Sequence, residues 1–361
     1  MSLLPRPEVQ SLIPSTHGGL NYAELEELGI TPEEVLDFSA NLNPFGPPPA
    51  VVESLSQADI AQYPDSEATR LRRALAEALG LSTSNILVGN GSTELIRLAA
   101  LAYFSPGDRV LIITPTFSEY EIACRIAGAS IVEQRLLPEK GFQLEVNETN
   151  ELIQRHRPRG IFITNPNNPT GRYLSRADLE KILDSSRESL LILDEAYLTF
   201  VDNPWSSLDM VERGNLLVLR SMTKDYALAG LRLGYGVARE NIIDALSRVR
   251  PPWNVNAVAQ QAGIIALNEE GYVKQCQAKI KEAKEYLVAE LSQLNLPPMS
   301  SEASFFLVKV DNSSEFRRRL LEQKMLVRDC TSFGLPGYVR IAPRTLPECQ
   351  RLIEAVKRIR G

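Results

Sequence analysis

The residues best placed to do chemistry are Lys224, Asp194 and Asn168, each just past an apolar run. Lys224 closes Ser221-Met222-Thr223-Lys224, and the preceding Asn215-Leu216-Leu217-Val218-Leu219 suits a buried strand. A lysine amine that is partly desolvated and held there can carry an aldehyde as a Schiff base. Ser221, three residues before it, and Arg232, eight after, offer a hydroxyl and a guanidinium to one shared phosphate. Asp194 ends the run Leu191-Ile192-Leu193. A carboxylate at that position is costly unless it meets a cation, such as a protonated ring nitrogen. Asn168 stands in Asn165-Pro166-Asn167-Asn168-Pro169-Thr170-Gly171, a stiff turn that could aim an amide at a ring oxygen, with Tyr197 as a second donor. Gly91, Ser92 and Thr93 follow Ile86-Leu87-Val88 and open a helix whose free N–H groups can receive an anion.

Each piece has a plain alternative: a surface lysine on a Ser/Thr turn, a stiff loop, a strand-end Asp capping a helix, a glycine connection. Their order is harder to explain that way. An anion turn, an Asn turn, an Asp and a Lys follow one another, each after an apolar strand. They match the phosphate, ring oxygen, ring nitrogen and aldehyde of pyridoxal phosphate.

Positioning these groups requires a sheet. Strand-like runs recur at 109–113, 130–134, 160–164, 190–194, 215–219 and 233–237, with helical patterns at 118–127, 147–155, 175–187 and 240–249. Such alternation predicts an α/β fold, with a mostly parallel central sheet in a large cofactor-binding domain, residues 49–256. Sites in such sheets lie at the carboxyl ends of the strands. Residues 1–48 are rich in Pro and Gly and read as an arm, with a short helix near 22–28, that packs with the small domain. After Pro251-Pro252-Trp253-Asn254-Val255-Asn256 the pattern changes. A helical stretch over about 257–294, strand-like 305–310, a helix at 313–323, strands near 325–328 and 338–342, and a helix near 346–359 predict a smaller α+β domain, 257–361.

The 361 residues are 44% hydrophobic and 23% charged, as expected of a soluble globular protein. A net charge of −6 argues against nucleic acid or an anionic membrane as partner, while local arginines can still bind anionic substrates. Cys124, Cys276, Cys330 and Cys349 are scattered, with no metal-ligand spacing, so neither a disulfide framework nor a metal is expected. No basic segment followed by an apolar stretch opens the chain, and no run approaches a membrane span, which gives the expectation of a cytoplasmic protein.

The ordered motifs resemble fold-type I pyridoxal-phosphate enzymes of the class I/II aminotransferase superfamily over essentially the whole chain. The resemblance rests on Asn168-Pro169-Thr170-Gly171, Asp194 with Tyr197, and Ser221 to Lys224 with Arg232. It implies that Phe117 stacks on the cofactor ring and that Tyr63 reaches the cofactor phosphate of the partner subunit, in a homodimer with shared sites. It further implies that Arg340 binds the substrate α-carboxylate.

Two subfamilies compete. Histidinol-phosphate aminotransferases share Gln62-Tyr63-Pro64 and the arginines Arg328 and Arg340, but usually have an acid where this chain has Leu42. Threonine-phosphate decarboxylases of cobalamin biosynthesis are more similar at His17-Gly18-Gly19, Asp37-Phe38-Ser39-Ala40-Asn41, Tyr63-Pro64-Asp65 and Pro252-Trp253-Asn254-Val255-Asn256. The expectation is therefore decarboxylation of L-threonine O-3-phosphate to (R)-1-amino-2-propanol phosphate, with histidinol-phosphate aminotransfer to 2-oxoglutarate as the alternative. Arg328, His17 and Asn41 are then expected to join Arg340 around a small phosphorylated amino acid. Some relatives of this fold use the cofactor only to regulate DNA-binding domains. No helix-turn-helix pattern precedes residue 49 and no basic patch is present, which disfavours that role.

Overall fold

The computed structural model describes residues 3–10 and 12–360 of the chain. Its centre is a seven-stranded sheet in the order Ile86–Asn90, Leu233–Ala238, Leu216–Ser221, Leu190–Asp194, Gly160–Thr164, Arg109–Thr114, Ser130–Arg135. Leu233–Ala238 pairs antiparallel with both its neighbours, and the remaining pairings are parallel. Central strands such as Gly160–Thr164 and Leu190–Asp194 are buried at every position. That is why they read as unbroken apolar runs rather than alternating ones: helices cover both faces. The helices between strands bury one stripe each, as in Arg176–Ser185, where Leu179, Ile182 and Leu183 face inward. Ser175 caps that helix by accepting from the Asp178 N–H.

Parallel pairing brings one set of strand ends together. Asn90, Thr114, Thr164, Asp194 and Ser221 close their strands along the same edge, and the candidate cofactor motifs other than Tyr63 and Arg232 begin within a few residues of one of them. The cost of burying Asp194 is offset by the apolar residues of its strand. Each fully buried Leu or Ile contributes about 1.5–3 kcal/mol, enough together to carry the several kcal/mol that one buried carboxylate costs.

The helical stretch expected over 257–294 is two helices, Ala257–Ala266 and Glu270–Gln293. Ala259, Ala262 and Ala266 of the first belong to the sheet's buried cluster, whereas the second packs on Leu346–Arg360. The chemistry of the faces explains the break: the first helix presents alanines to the large unit and the second presents Ala283, Leu287 and Leu291 to the small one. The small unit holds an antiparallel sheet, Arg328–Asp329, Tyr338–Ile341 and Phe306–Lys309. The arm joins it: Leu36–Asp37 pairs in parallel with Met325–Leu326, and Leu25 and Val35 cluster with Leu321 and Leu326. All four cysteines are buried. Among the described residues no helix is long and apolar enough to cross a membrane.

Candidate active site

A cavity of about 1000 Å³ opens over the carboxyl edge of the sheet, closed on its other side by the arm and the small sheet. Ser92, Thr93, Phe117, Asn168, Asp194, Tyr197, Ser221, Lys224 and Arg232 line it, as do His17, Asn41, Arg328 and Arg340. Residues from both ends of the chain thus meet in one place. Gly91 sits at the cradle with φ 73°, and a Cβ there would fall 2.8 Å from Arg232 Nη2. The glycine therefore lets the guanidinium approach the start of helix Ser92–Tyr103. Ser221 Oγ lies 2.7 Å from Thr223 Oγ1 on the far side of the lysine turn. These hydroxyls, Arg232 and the helix start form a set of donors suited to a phosphate.

Asp194 is buried. Its Oδ2 accepts from Tyr120 Oη at 2.8 Å and its Oδ1 from the Ala196 N–H at 2.9 Å. Burial raises its carboxyl above the ordinary value, against these hydrogen bonds and the charge of Lys224. Among the described residues the carboxylate therefore has neutral donors but no cation in hydrogen-bond contact, the condition that a protonated ring nitrogen would relieve. Tyr120 continues the network to Thr164 Oγ1 at 2.9 Å, which meets Thr116 Oγ1 at 3.0 Å, and Thr116 donates to Asn167 at 2.8 Å. Sequence reasoning missed Tyr120, Thr164 and Asn167. Tyr120 lies on the helix after Phe117, so only the fold brings its hydroxyl back to Asp194.

Asn168 Oδ1 accepts from Arg340 Nη1, which leaves Nδ2 as the end able to donate to a ring oxygen. Phe117 lines the cavity edge-on to Tyr120, and Tyr197 packs edge-on against Phe305 at 4.9 Å. Lys224 is half-buried, with Nζ 5.8 Å from the Tyr197 ring centre. The residues present thus offer a place for each polar group of pyridoxal phosphate.

On the opposite wall Arg328 and Arg340 face each other directly in the antiparallel ladder. Both are buried. Burial, and then the charge of Arg340, bring the Arg328 guanidinium down to about 10, and burial lowers Arg340. Arg340 Nη2 donates to the Ser39 carbonyl at 2.6 Å, while its Nε is buried without a partner. Arg328 donates to Ser332 Oγ at 2.7 Å and to the Thr16 carbonyl. Asn41 is 4% exposed, and neither atom of its amide has a partner among the described residues. Such orphaned groups cost about 1–3 kcal/mol each. Their place in the cavity wall suits a polar ligand.

His17 lines the cavity, but its Nε2 lies 2.7 Å from Ser15 Oγ and 3.3 Å from Glu119 Oε1. The hydrogen bond from His17, with those from Ser15 and Arg97, holds the Glu119 carboxyl down to about 2 against the effect of burial. The arm is therefore tied to the large unit through Glu119, a residue with no signal in the sequence reading. Tyr63 is not brought to this cavity. It is 78% exposed and stacks on Trp253 at 4.3 Å.

The sequence model of the aminotransferase class I and II family matches residues 33–356. The chain is 37% identical to the histidinol-phosphate aminotransferase of Moorella thermoacetica, over 92% of this chain and 87% of that one. Other relatives between 33% and 36% identical bear the same name. It is 36% identical to the adenosylcobalamin biosynthesis bifunctional protein CobDQ of Leptospira interrogans, over 95% of this chain and 41% of that protein. The crystal structure of L-threonine-O-3-phosphate decarboxylase from Porphyromonas gingivalis superposes with a TM-score of 0.80 at 27% identity, covering 89% of this chain and 98% of that one.

Proposed function

The chain belongs to the class I and II aminotransferases and uses pyridoxal phosphate, and on that premise we propose that it is an aminotransferase for a small phosphorylated amine, histidinol phosphate, with 2-oxoglutarate as acceptor. The observation that carries this reading is the Arg328–Arg340 pair, opposed in one ladder on the cavity wall. Two guanidiniums can hold two anionic ends in turn: the phosphate of one substrate and the carboxylates of the other. The names of the relatives favour this reading over the decarboxylase expected from the arm motifs.

Bound pyridoxal phosphate supplies an aldehyde carbon and an electron-accepting ring. The remaining work falls to the protein. Asp194, kept dry by Tyr120 and the sheet, would hold a proton on the ring nitrogen. Asn168 Nδ2 and Tyr197 would donate to the ring oxygen, and Phe117 would cover the ring face. Ser92, Thr93, Ser221 and Arg232 would hold the phosphate. The Lys224 amine would hold the aldehyde when no substrate is bound, and it is placed to move a proton at the substrate carbon. Arg340 fixes the carboxylate and Arg328 the phosphate, while Asn41 and His17 complete the substrate side. The exposed Tyr63 and Trp253 suit a homodimer in which Tyr63 enters the partner's site.

A second reading, decarboxylation of threonine phosphate, is favoured by one feature. Leu42 lines the cavity where an acid is usual in histidinol-phosphate aminotransferases. The same residues would then break the bond to the carboxylate instead of the bond to hydrogen. Incubating the purified holoenzyme with histidinol phosphate plus 2-oxoglutarate, and separately with threonine phosphate, decides. Glutamate from the first is the expected result. Carbon dioxide from the second without glutamate from the first replaces the aminotransferase with the decarboxylase, and neither product removes both.

A further inference from the structure

The lysine turn is held by residues that none of these roles uses. Between Ser221 and Ala229 the chain is neither helix nor strand, so its carbonyls need partners from elsewhere. Asn43 supplies two. Its N–H donates to the Lys224 carbonyl at 2.9 Å, and its Nδ2 donates to the Asp225 carbonyl at 2.9 Å. Its Oδ1 accepts from the Phe45 N–H at 3.0 Å, so both polar atoms of the buried side chain have partners. A second hold comes from a different element: Thr199 Oγ1 donates to Asp225 Oδ2 at 3.0 Å, and the Thr199 carbonyl in turn accepts from Gln277 of the long helix. Asn41 and Leu42, immediately before Asn43, line the cavity. One short stretch therefore faces the substrate and grips the lysine turn.

We propose that Asn43 and Thr199 are positioning residues for Lys224, fixing its main chain so that Nζ stays within reach of both the cofactor aldehyde and the substrate carbon. A long flexible amine is useful as a base only if its root does not move; a displacement of about 1 Å at a reacting group can cost on the order of a hundredfold in rate. The inference rests on the assignment of Lys224 made above.

Two near-isosteric changes test it on the holoenzyme. Asn43→Asp keeps the acceptor for Phe45 but removes the Nδ2 donor, and Thr199→Val removes the hydroxyl. In each, borohydride should still fix one cofactor per chain. The pH midpoint of the visible cofactor band should move by about half a unit or more. Turnover on the substrate identified by the assay above should fall on the order of tenfold, with KM changed less than about threefold. Lower thermal stability with an unmoved midpoint and unchanged kcat would show that both residues merely anchor a loop. If Asn43→Asp does not fold, Thr199→Val carries the same expectation and decides alone. Lys224→Ala is the control: retained borohydride trapping there would refute the lysine assignment itself, whatever the two variants do.

Discussion

The two walls of the cavity use their polar atoms differently. On the sheet side, Asp194, Thr164 and Ser221 all have protein partners, and the network through Tyr120 and Asn167 is closed. On the side of the arm and small sheet, both amide atoms of Asn41 and the Nε of Arg340 are buried with none. The first wall is built in advance. The second is completed only by what binds. A preorganised wall suits a group that stays, and an unsatisfied wall suits one that comes and goes, because each orphaned atom that a ligand satisfies contributes to its discrimination.

The largest effect that could break this contrast lies on the sheet side. Asp194→Asn should keep part of the cofactor but lower turnover by about two orders of magnitude or more, since a charged hydrogen bond contributes about 1.5–3 kcal/mol and the electron sink is weakened as well. Single-turnover kinetics with a cofactor titration measures both, and near-normal turnover would remove Asp194 from the ring nitrogen. On the opposite wall, Arg340→Ala should lower kcat/KM for the carboxylate substrate on the order of tenfold to a hundredfold, with cofactor retention nearly unchanged. An equal loss of cofactor would erase the distinction between the walls.

Tyr63 sharpens the comparison by belonging to neither wall of its own chain. Mixing Lys224→Ala chains with Tyr63→Phe chains should put both defects into one site of the heterodimer and leave the other intact, so activity should exceed that of either parent. No gain on mixing would place Tyr63 outside a shared site. The smallest effect concerns the lysine turn. Burial raises the Asp225 carboxyl to about 6, above its ordinary value. The folded chain then holds that proton more tightly than the unfolded chain, and stability falls as pH rises from about 4 to about 6. Asp225→Asn should flatten that dependence and raise stability near neutrality by up to about 3 kcal/mol. Thermal unfolding across this pH range measures it, and a slope unchanged by the substitution would contradict the assignment.

The same contrast explains what could be read from the residues in order. Strand-end motifs are local, so Asn168, Asp194 and Lys224 announce themselves by an apolar run followed by a polar group, and the parallel sheet then gathers them on one edge. The helix break after Ala266 was missed, although Asn268 and Gly271 are weak local signals of a helix end. Not legible were the roles of Tyr120 and Glu119, whose partners lie 74 and 104 residues away in the chain. The two arginines are twelve residues apart, but their direct opposition depends on the register of the Arg328–Asp329 and Tyr338–Ile341 hairpin. Substrate choice was least legible of all. It depends on the wall made by several distant segments, and the arm motifs, His17-Gly18-Gly19 and Asn41-Leu42-Asn43-Pro44 among them, point to the decarboxylase where the relatives favour the aminotransferase.

Lys224 is the residue proposed to hold the cofactor. Reducing the wild-type holoenzyme with borohydride, digesting it and locating the added pyridoxyl group by mass spectrometry tests this directly. The predicted result is one label per chain, on the peptide containing Ser221-Met222-Thr223-Lys224 and on Lys224 itself. A label on any other lysine, or a stoichiometric label that survives in Lys224→Ala, would contradict it.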